Sequence, residues 1–252
     1  CTRGDSFQRY FYFDDCYLKK DGVVIYAPKV LYYDKPDLIQ VAGGTLSIIG
    51  FGYYIGDFDK DGPKYDVERF VGFATGAATL VKRDFFLSVG GYDETYFASA
   101  EEAELGFHAW LRGFKVVYIP QAKVYHKVSR TYGKRGPTPL KVLLQTRNRI
   151  LNIFKFLEWK NVVEGLFLSF ILDFSRLLYY AFILRSPQSC LSIFRAYLWI
   201  LKKLHTYREK RRTLKMFKKV KENSFPRPFI FSSLTDCLRE ELRLRKVWRT
   251  FM

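Results

Sequence analysis

The chain changes character after His126. Residues 1–126 carry 14 Lys and Arg against 17 Asp and Glu, whereas residues 127–252 carry 28 against 8. The net charge of +17 over 252 residues therefore belongs to the second half. A near-neutral, Gly-rich region followed by a basic, aromatic-rich one reads as two regions with different roles, with a boundary near residue 130. An aromatic content of 18% excludes a disordered basic tail. So large a positive charge calls for an anionic partner: nucleic acid, a phosphate-rich substrate or an acidic membrane surface. A nucleic-acid enzyme more often spreads its bases around its groove, and no nucleic-acid motif accompanies the basic region.

The four cysteines, Cys1, Cys16, Cys190 and Cys237, form no C-x-x-C pair and have no His at zinc spacing. They read as reduced thiols of a cytosol-facing protein. No apolar run follows the early charges, so no signal peptide is expected, and the opening Cys-Thr-Arg suggests an internal start.

Along the first half, short apolar runs alternate with helical ones, which argues for an α/β domain. Gly22 to Pro28 reads as a buried strand ended by proline and continued by Lys29 to Tyr33. Val41 to Gly50 reads as a Gly-punctuated strand or loop. Phe70 to Lys82 alternates small and apolar residues as a strand beside a ligand cleft does. Asp84 to Val89 and Ala100 to Arg112 read as helices, stopped by Gly90-Gly91 and by Gly113. Lys115 to Pro120 and Lys123 to His126 are two short strands.

Beyond the Gly/Pro-rich loop Thr131–Pro139, Leu140 to Trp159 reads as a basic amphipathic helix. Val162 to Leu184 is the most apolar stretch, 23 residues or about 35 Å if helical. Its Ser169, Asp173, Arg176 and Tyr180 fall on one polar stripe. That pattern suits a helix in the membrane interface or a core helix of a helical subdomain. A second amphipathic piece, Cys190 to Leu204, leads into Lys/Arg clusters that would favour anionic headgroups.

Two clusters have the residue types for chemistry. Asp57-Phe-Asp-Lys-Asp-Gly62 with Glu68 matches the calcium-loop spacing, but Pro63 and Lys64 and the Gly-rich approach favour a polar turn. Tyr96-Phe-Ala-Ser-Ala-Glu-Glu-Ala-Glu104 places three carboxylates at a helix N-terminus, where the dipole favours them even without a function. With aromatics beside them and His126 ending a later strand, Glu102 is a candidate general base and His126 a metal or phosphate ligand.

The order and spacing of Phe73–Arg83, Val89-Gly-Gly-Tyr-Asp-Glu94, Tyr96-Phe97, Glu101-Glu102, Arg112-Gly113, Val117-Tyr-Ile-Pro120 and Val124-Tyr-His126 resemble the C-terminal half of family 2 glycosyltransferases, in particular the rhamnosyltransferase-like subgroup. The resemblance covers roughly residues 21–156. It implies a partial GT-A (Rossmann-like nucleotide-diphospho-sugar transferase) α/β domain over residues 1–130, then an α-helical, basic, amphipathic, membrane-associating region over 131–252. It also implies inverting transfer from a nucleotide-diphosphate sugar to a lipid-linked or glycan acceptor, on the cytoplasmic face of a membrane. Glu102, with Glu101 beside it, would be the base. Thr75 and Gly76 would lie near the acceptor, and Arg147, Asn148 and Arg149 would hold a lipid-linked diphosphate. His126 would contact a divalent cation, Mg or Mn, or the diphosphate.

The family usually has Asp at the positions of Glu102 and Glu104, and Arg where this chain has His108. Its Asp-x-Asp metal site should precede Gly22 by several dozen residues, and only Asp14 and Asp15 offer anything comparable. The donor-binding half is therefore expected to lie outside this sequence. The alternative reading is a truncated or degenerate, non-catalytic membrane-binding scaffold.

Overall fold

The computed structural model describes residues 20–127 and 138–226, with residues 231, 232, 235, 239 and 243 beyond them. Asp14, Asp15, Cys1, Cys16, Cys237 and most of the 131–139 loop lie outside the described residues. The architecture is mixed α/β. A five-stranded sheet has the order β2 (Ile39–Val41), β1 (Val23–Tyr32), β7 (Lys115–His126), β5 (Arg69–Phe70), and β6 (Leu80–Val81) also pairs with β1. Among the described residues of this sheet, β1 and β7 are the one parallel pair. Nine of the ten β1 residues are buried, as expected for a strand covered on both faces.

β1 does not stop at Pro28. It continues to Tyr32, because the missing proline donor falls where the β1–β7 register shifts between Pro28 and Lys29. The same shift joins the two expected strands of residues 115–126 into one, with Pro120, Gln121 and Ala122 opposite no β1 residue.

The 70–82 run forms no continuous strand. Gly72 and Phe73 are pinned to Gly44, through Gly72 N–Gly44 O (2.6 Å) and Gly44 N–Phe73 O (2.9 Å). The chain then turns at Thr75, whose carbonyl accepts from the Ala78 amide and the Thr79 hydroxyl. Small residues produced the alternation, but they serve close packing: a Cβ on Gly44 would collide with the Phe73 ring. Gly44 lies in β3 (Gly44–Ser47), which pairs with β4 (Tyr53–Tyr54) and with β8 (Phe231–Ser232).

Two helices belong to this region, α1 (Arg83–Ser88) and α2 (Glu101–Leu111), and positive-φ Gly90 and Gly113 follow them as anticipated. α2 is buried along nearly its whole length. Phe107 stacks on Phe156 with centroids 5.0 Å apart, and the Trp110 indole donates to the Val71 carbonyl at 3.0 Å.

Three longer helices follow: α3 (Pro139–Phe156), α4 (Trp159–Leu178), extended by a π-turn to Ile183, and α5 (Pro187–Phe217). Thr138 caps α3, and its helix ends three residues short of Trp159 because Leu157 leaves the helical region with ψ near 150°. Ile153, Phe156, Leu157 and Val162 join the same apolar cluster as β1 and α2, so these helices share the core of the α/β region. The polar stripe of α4 points inward: Ser169, Asp173 and Tyr180 are buried. Asp173 accepts from Arg149 at 2.6 Å and from Tyr197 at 2.8 Å.

Candidate active site

The first turn of α2 opens onto a cleft of about 380 Å³, which is lined by Tyr54, Asp57, Phe73, Glu101, Glu102 and Lys141 among others. Glu102 Oε1 accepts from the Gly76 amide at 3.0 Å and from the Tyr54 hydroxyl at 3.3 Å. The Thr75 hydroxyl donates to the Tyr54 oxygen at 3.4 Å. A Cβ on Gly76 would sit 3.3 Å from Glu102 Oε1, so glycine lets the loop close on the carboxylate. Four of the expected residues, Thr75, Gly76, Glu101 and Glu102, are thus brought together.

Burial raises the titration of Glu102. Burial and then the charge of Glu102 push Glu101 up to about 7. Desolvation, reinforced by Glu102, also drives the Tyr54 hydroxyl well above its ordinary value. Tyr92 is pushed up to about 12 by desolvation of its hydroxyl and then by the three glutamates, although 40% of the residue is exposed. A carboxylate whose proton affinity is raised by burial, with hydroxyls beside it, is suited to accept a proton from a bound alcohol.

The segment entering α2 is strained: Phe97, Ser99 and Ala100 all have positive φ (58°, 76° and 68°) without being glycine. Residues of α3 hold it. The Asn148 side-chain amide donates to the carbonyls of Tyr96 (2.9 Å), Ala98 (2.9 Å) and Ser99 (2.6 Å). Arg147 donates to the Thr95 and Tyr96 carbonyls at 2.6 and 3.1 Å and stacks over Trp199. Asn152 accepts from the Tyr96 hydroxyl at 2.7 Å and donates to the Gly50 carbonyl at 3.0 Å. Below them, Lys155 bridges Glu104 (2.6 Å) and Asp93 (3.1 Å). Burial raises Glu104 and Asp93, but Lys155 together with His108 beside Glu104, and Lys155 together with Lys210 and Thr95 beside Asp93, hold both below their ordinary range.

Of the expected diphosphate-binding trio, Arg147 and Asn148 are therefore spent on the backbone that carries the acidic pair. Arg149 is fully buried against Asp173. None of the three lines the cleft. His126 ends β7 opposite Tyr32, and its Nδ1 lies 2.9 Å from Gln40 Oε1. Burial lowers its proton affinity. Tyr32 in turn donates to Asp57 at 2.6 Å, at the cleft edge. Among the described residues, no three His, Cys, Asp or Glu side chains gather where they could hold a metal ion. Glu102 and His126 have separate partners, so the described residues do not fit the cation that the resemblance implies.

The calcium-loop carboxylates also diverge. Asp57 accepts from Tyr32 at 2.6 Å, Asp61 pairs with Lys29 at 2.8 Å, Asp59 with Lys64 and Tyr65, and Glu68 with Lys20. Sequence reasoning missed Tyr54, Tyr92, Asn152 and Lys155. Tyr92 lay within the Val89–Glu94 motif, and the others carried no local signal.

No family model matches the chain. Over 67 residues it is 40% identical to N-acetylglucosaminyl-diphospho-decaprenol L-rhamnosyltransferase of Mycobacterium tuberculosis, in strains CDC 1551 / Oshkosh and ATCC 25618 / H37Rv. The match covers 27% of this chain and 22% of the relative's length. It relates part of the chain to a glycosyltransferase.

Proposed function

We propose that this chain supplies the acceptor side of an inverting glycosyltransferase with a GT-A-type α/β domain. Glu102 takes the proton of an acceptor hydroxyl. The freed oxygen bonds to the anomeric carbon of a nucleotide-diphosphate sugar, and the bond from that carbon to the diphosphate oxygen breaks. The observation that carries this reading is the position of Glu102, raised in proton affinity and held by Gly76 and Tyr54 at the wall of the cleft. The 67-residue match supports it independently.

Glu101 shares the charge of the pair, and Thr75 and Gly76 shape the acceptor side. With Nδ1 held by Gln40, His126 has Nε2 left to meet a diphosphate. The relative's name points to a lipid-diphosphate-linked acceptor, so we place this chain at the cytoplasmic face of a membrane, as a peripheral protein. The test is sugar transfer onto lipid-linked acceptors by wild type and Glu102→Gln. Loss of the base should cost about 10²–10⁴-fold, and an unchanged rate defeats the assignment.

A further inference from the structure

α4 is amphipathic in an unusual sense: its Ser169 and Asp173 face the protein, whereas its phenylalanines Phe167, Phe170 and Phe174 face outward. Val162, Gly165, Ser169, Asp173 and, within the π-turn, Tyr180 form one buried stripe along the helix. Gly165 lies against the backbone of the α/β region so closely that a Cβ would collide with the Ile48 carbonyl. Asp173 is tied to Arg149 of α3 and Tyr197 of α5. Opposite this stripe, Phe167, Phe170, Phe174 and Phe182 are each more than half exposed. On α5, Phe194 and Leu201 are exposed in the same way. Soluble monomers rarely leave so large an apolar face uncovered.

By length and composition, Trp159–Ile183, 25 residues, could cross a membrane. Its attachments forbid it. A spanning helix would carry Arg149, Asp173 and the Ile48 backbone into the hydrocarbon with it, where unpaired polar groups are costly. What covers the face is indicated by its surroundings: Lys160, Arg185, Arg195, Lys202 and Lys203 are all exposed on the same two helices and the link between them, and they outnumber the exposed acids there, Glu164 on α4 and Glu209 farther along α5. A second copy docking face to face would bring these like charges together, whereas anionic headgroups would neutralise them.

We infer that α4, its π-turn and α5 lie in the plane of an anionic lipid surface, with Phe167, Phe170, Phe174 and Phe182 submerged and no segment crossing. This deepens the membrane placement proposed above and rests on it, but not on Glu102 or on sugar transfer. The buried stripe fixes the helices to the α/β region, so the catalytic cleft is held at a set orientation to the lipid.

The test uses the full chain and vesicles of phosphatidylcholine, with and without about one-third phosphatidylglycerol. Wild type should co-sediment with the anionic vesicles, bind about tenfold less at high salt, and be released by alkaline carbonate. Phe170→Glu/Phe174→Glu should lose binding at least tenfold with an unchanged circular dichroism spectrum. Val67→Glu, an equally exposed apolar position on the α/β region, should bind as wild type. Should the double variant misfold, wild-type binding, salt dependence and carbonate release still decide. Carbonate-resistant association overturns the in-plane arrangement. A stable dimer that ignores vesicles overturns the lipid assignment. Glu102→Gln should bind vesicles normally, so failure of the catalytic reading leaves a distinct signature.

Discussion

Asn148 holds Ser99 in place: its side-chain amide donates to the Ser99 carbonyl at 2.6 Å. The same nitrogen reaches the Tyr96 and Ala98 carbonyls, so two N–H groups are shared among three acceptors. The stretch they hold has positive φ at Phe97, Ser99 and Ala100 and ends at Glu101-Glu102. Strain of this kind persists only when its surroundings over-determine it. Asn148→Ala should cost about 2–4 kcal/mol by urea denaturation, because three carbonyls lose a buried donor. It should also lower kcat by about 10²-fold through displacement of the base, with KM for the nucleotide sugar little changed. A direct contact with diphosphate would instead raise KM, so the split between the two constants separates positioning from binding.

The acidic pair makes a prediction in pH. Burial is the larger cause of the rise of Glu101 to about 7, and the Glu102 charge is the second. In Glu102→Gln the Glu101 titration, followed by carboxyl carbon NMR, should fall below 7 yet stay above the ordinary value of 4.5. Between 4.5 and about 7 the folded state binds more protons at this site than the unfolded one. Stability from Glu101 is therefore fully present below 4.5 and lost as pH rises to about 7. Because Glu101 is partly exposed, the loss should be at most about 2 kcal/mol. Glu101→Gln should flatten that slope.

Much of this site could be read in the sequence because its determinants are local. The helix from Ala100 to Gly113 has its acidic start and glycine stop within 14 residues, and β1 appears as one apolar run. What could not be read depends on partners far along the chain. Arg147 and Asn148 look like ligand-binding residues until their acceptors prove to be main-chain carbonyls about 50 residues upstream. The 70–82 run has strand-like alternation, yet Gly44 claims Gly72 and Phe73, and Thr75 starts a turn. For α4, periodicity defined the polar stripe but not its direction. That direction was set by Arg149 and Tyr197, which sit on other helices.

The buried pair of Arg149 and Asp173 should respond asymmetrically to substitution. Both side chains are almost completely buried, with a 2.6 Å contact. Asp173→Asn leaves a guanidinium charge without its counterion in the core and should destabilise by about 3–5 kcal/mol. Replacing both, as Arg149→Met with Asp173→Leu, removes the charge and its desolvation together and should lie within about 1–2 kcal/mol of wild type. A double-mutant cycle by chemical denaturation measures the coupling. If the double variant is no better than Asp173→Asn, the pair is not what ties α4 to α3.

Gly165 offers the sharpest test of how α4 is mounted. In an exposed helix, Gly→Ala should stabilise by about 1 kcal/mol through propensity alone. Here the added methyl would collide with the Ile48 carbonyl and stand 3.5 Å from Ile153 Cγ2. The obstructing atom is backbone and cannot rotate away, so Gly165→Ala should instead destabilise by about 1–3 kcal/mol. Gly62, where a Cβ meets nothing within 4 Å, is the control, and Gly62→Ala should stay within about 0.5 kcal/mol of wild type. Thermal melts of the two variants decide the sign. A Gly165→Ala protein as stable as wild type would mean that α4 stands off from Ile48. The helix would then be free to leave the α/β region and to cross a membrane.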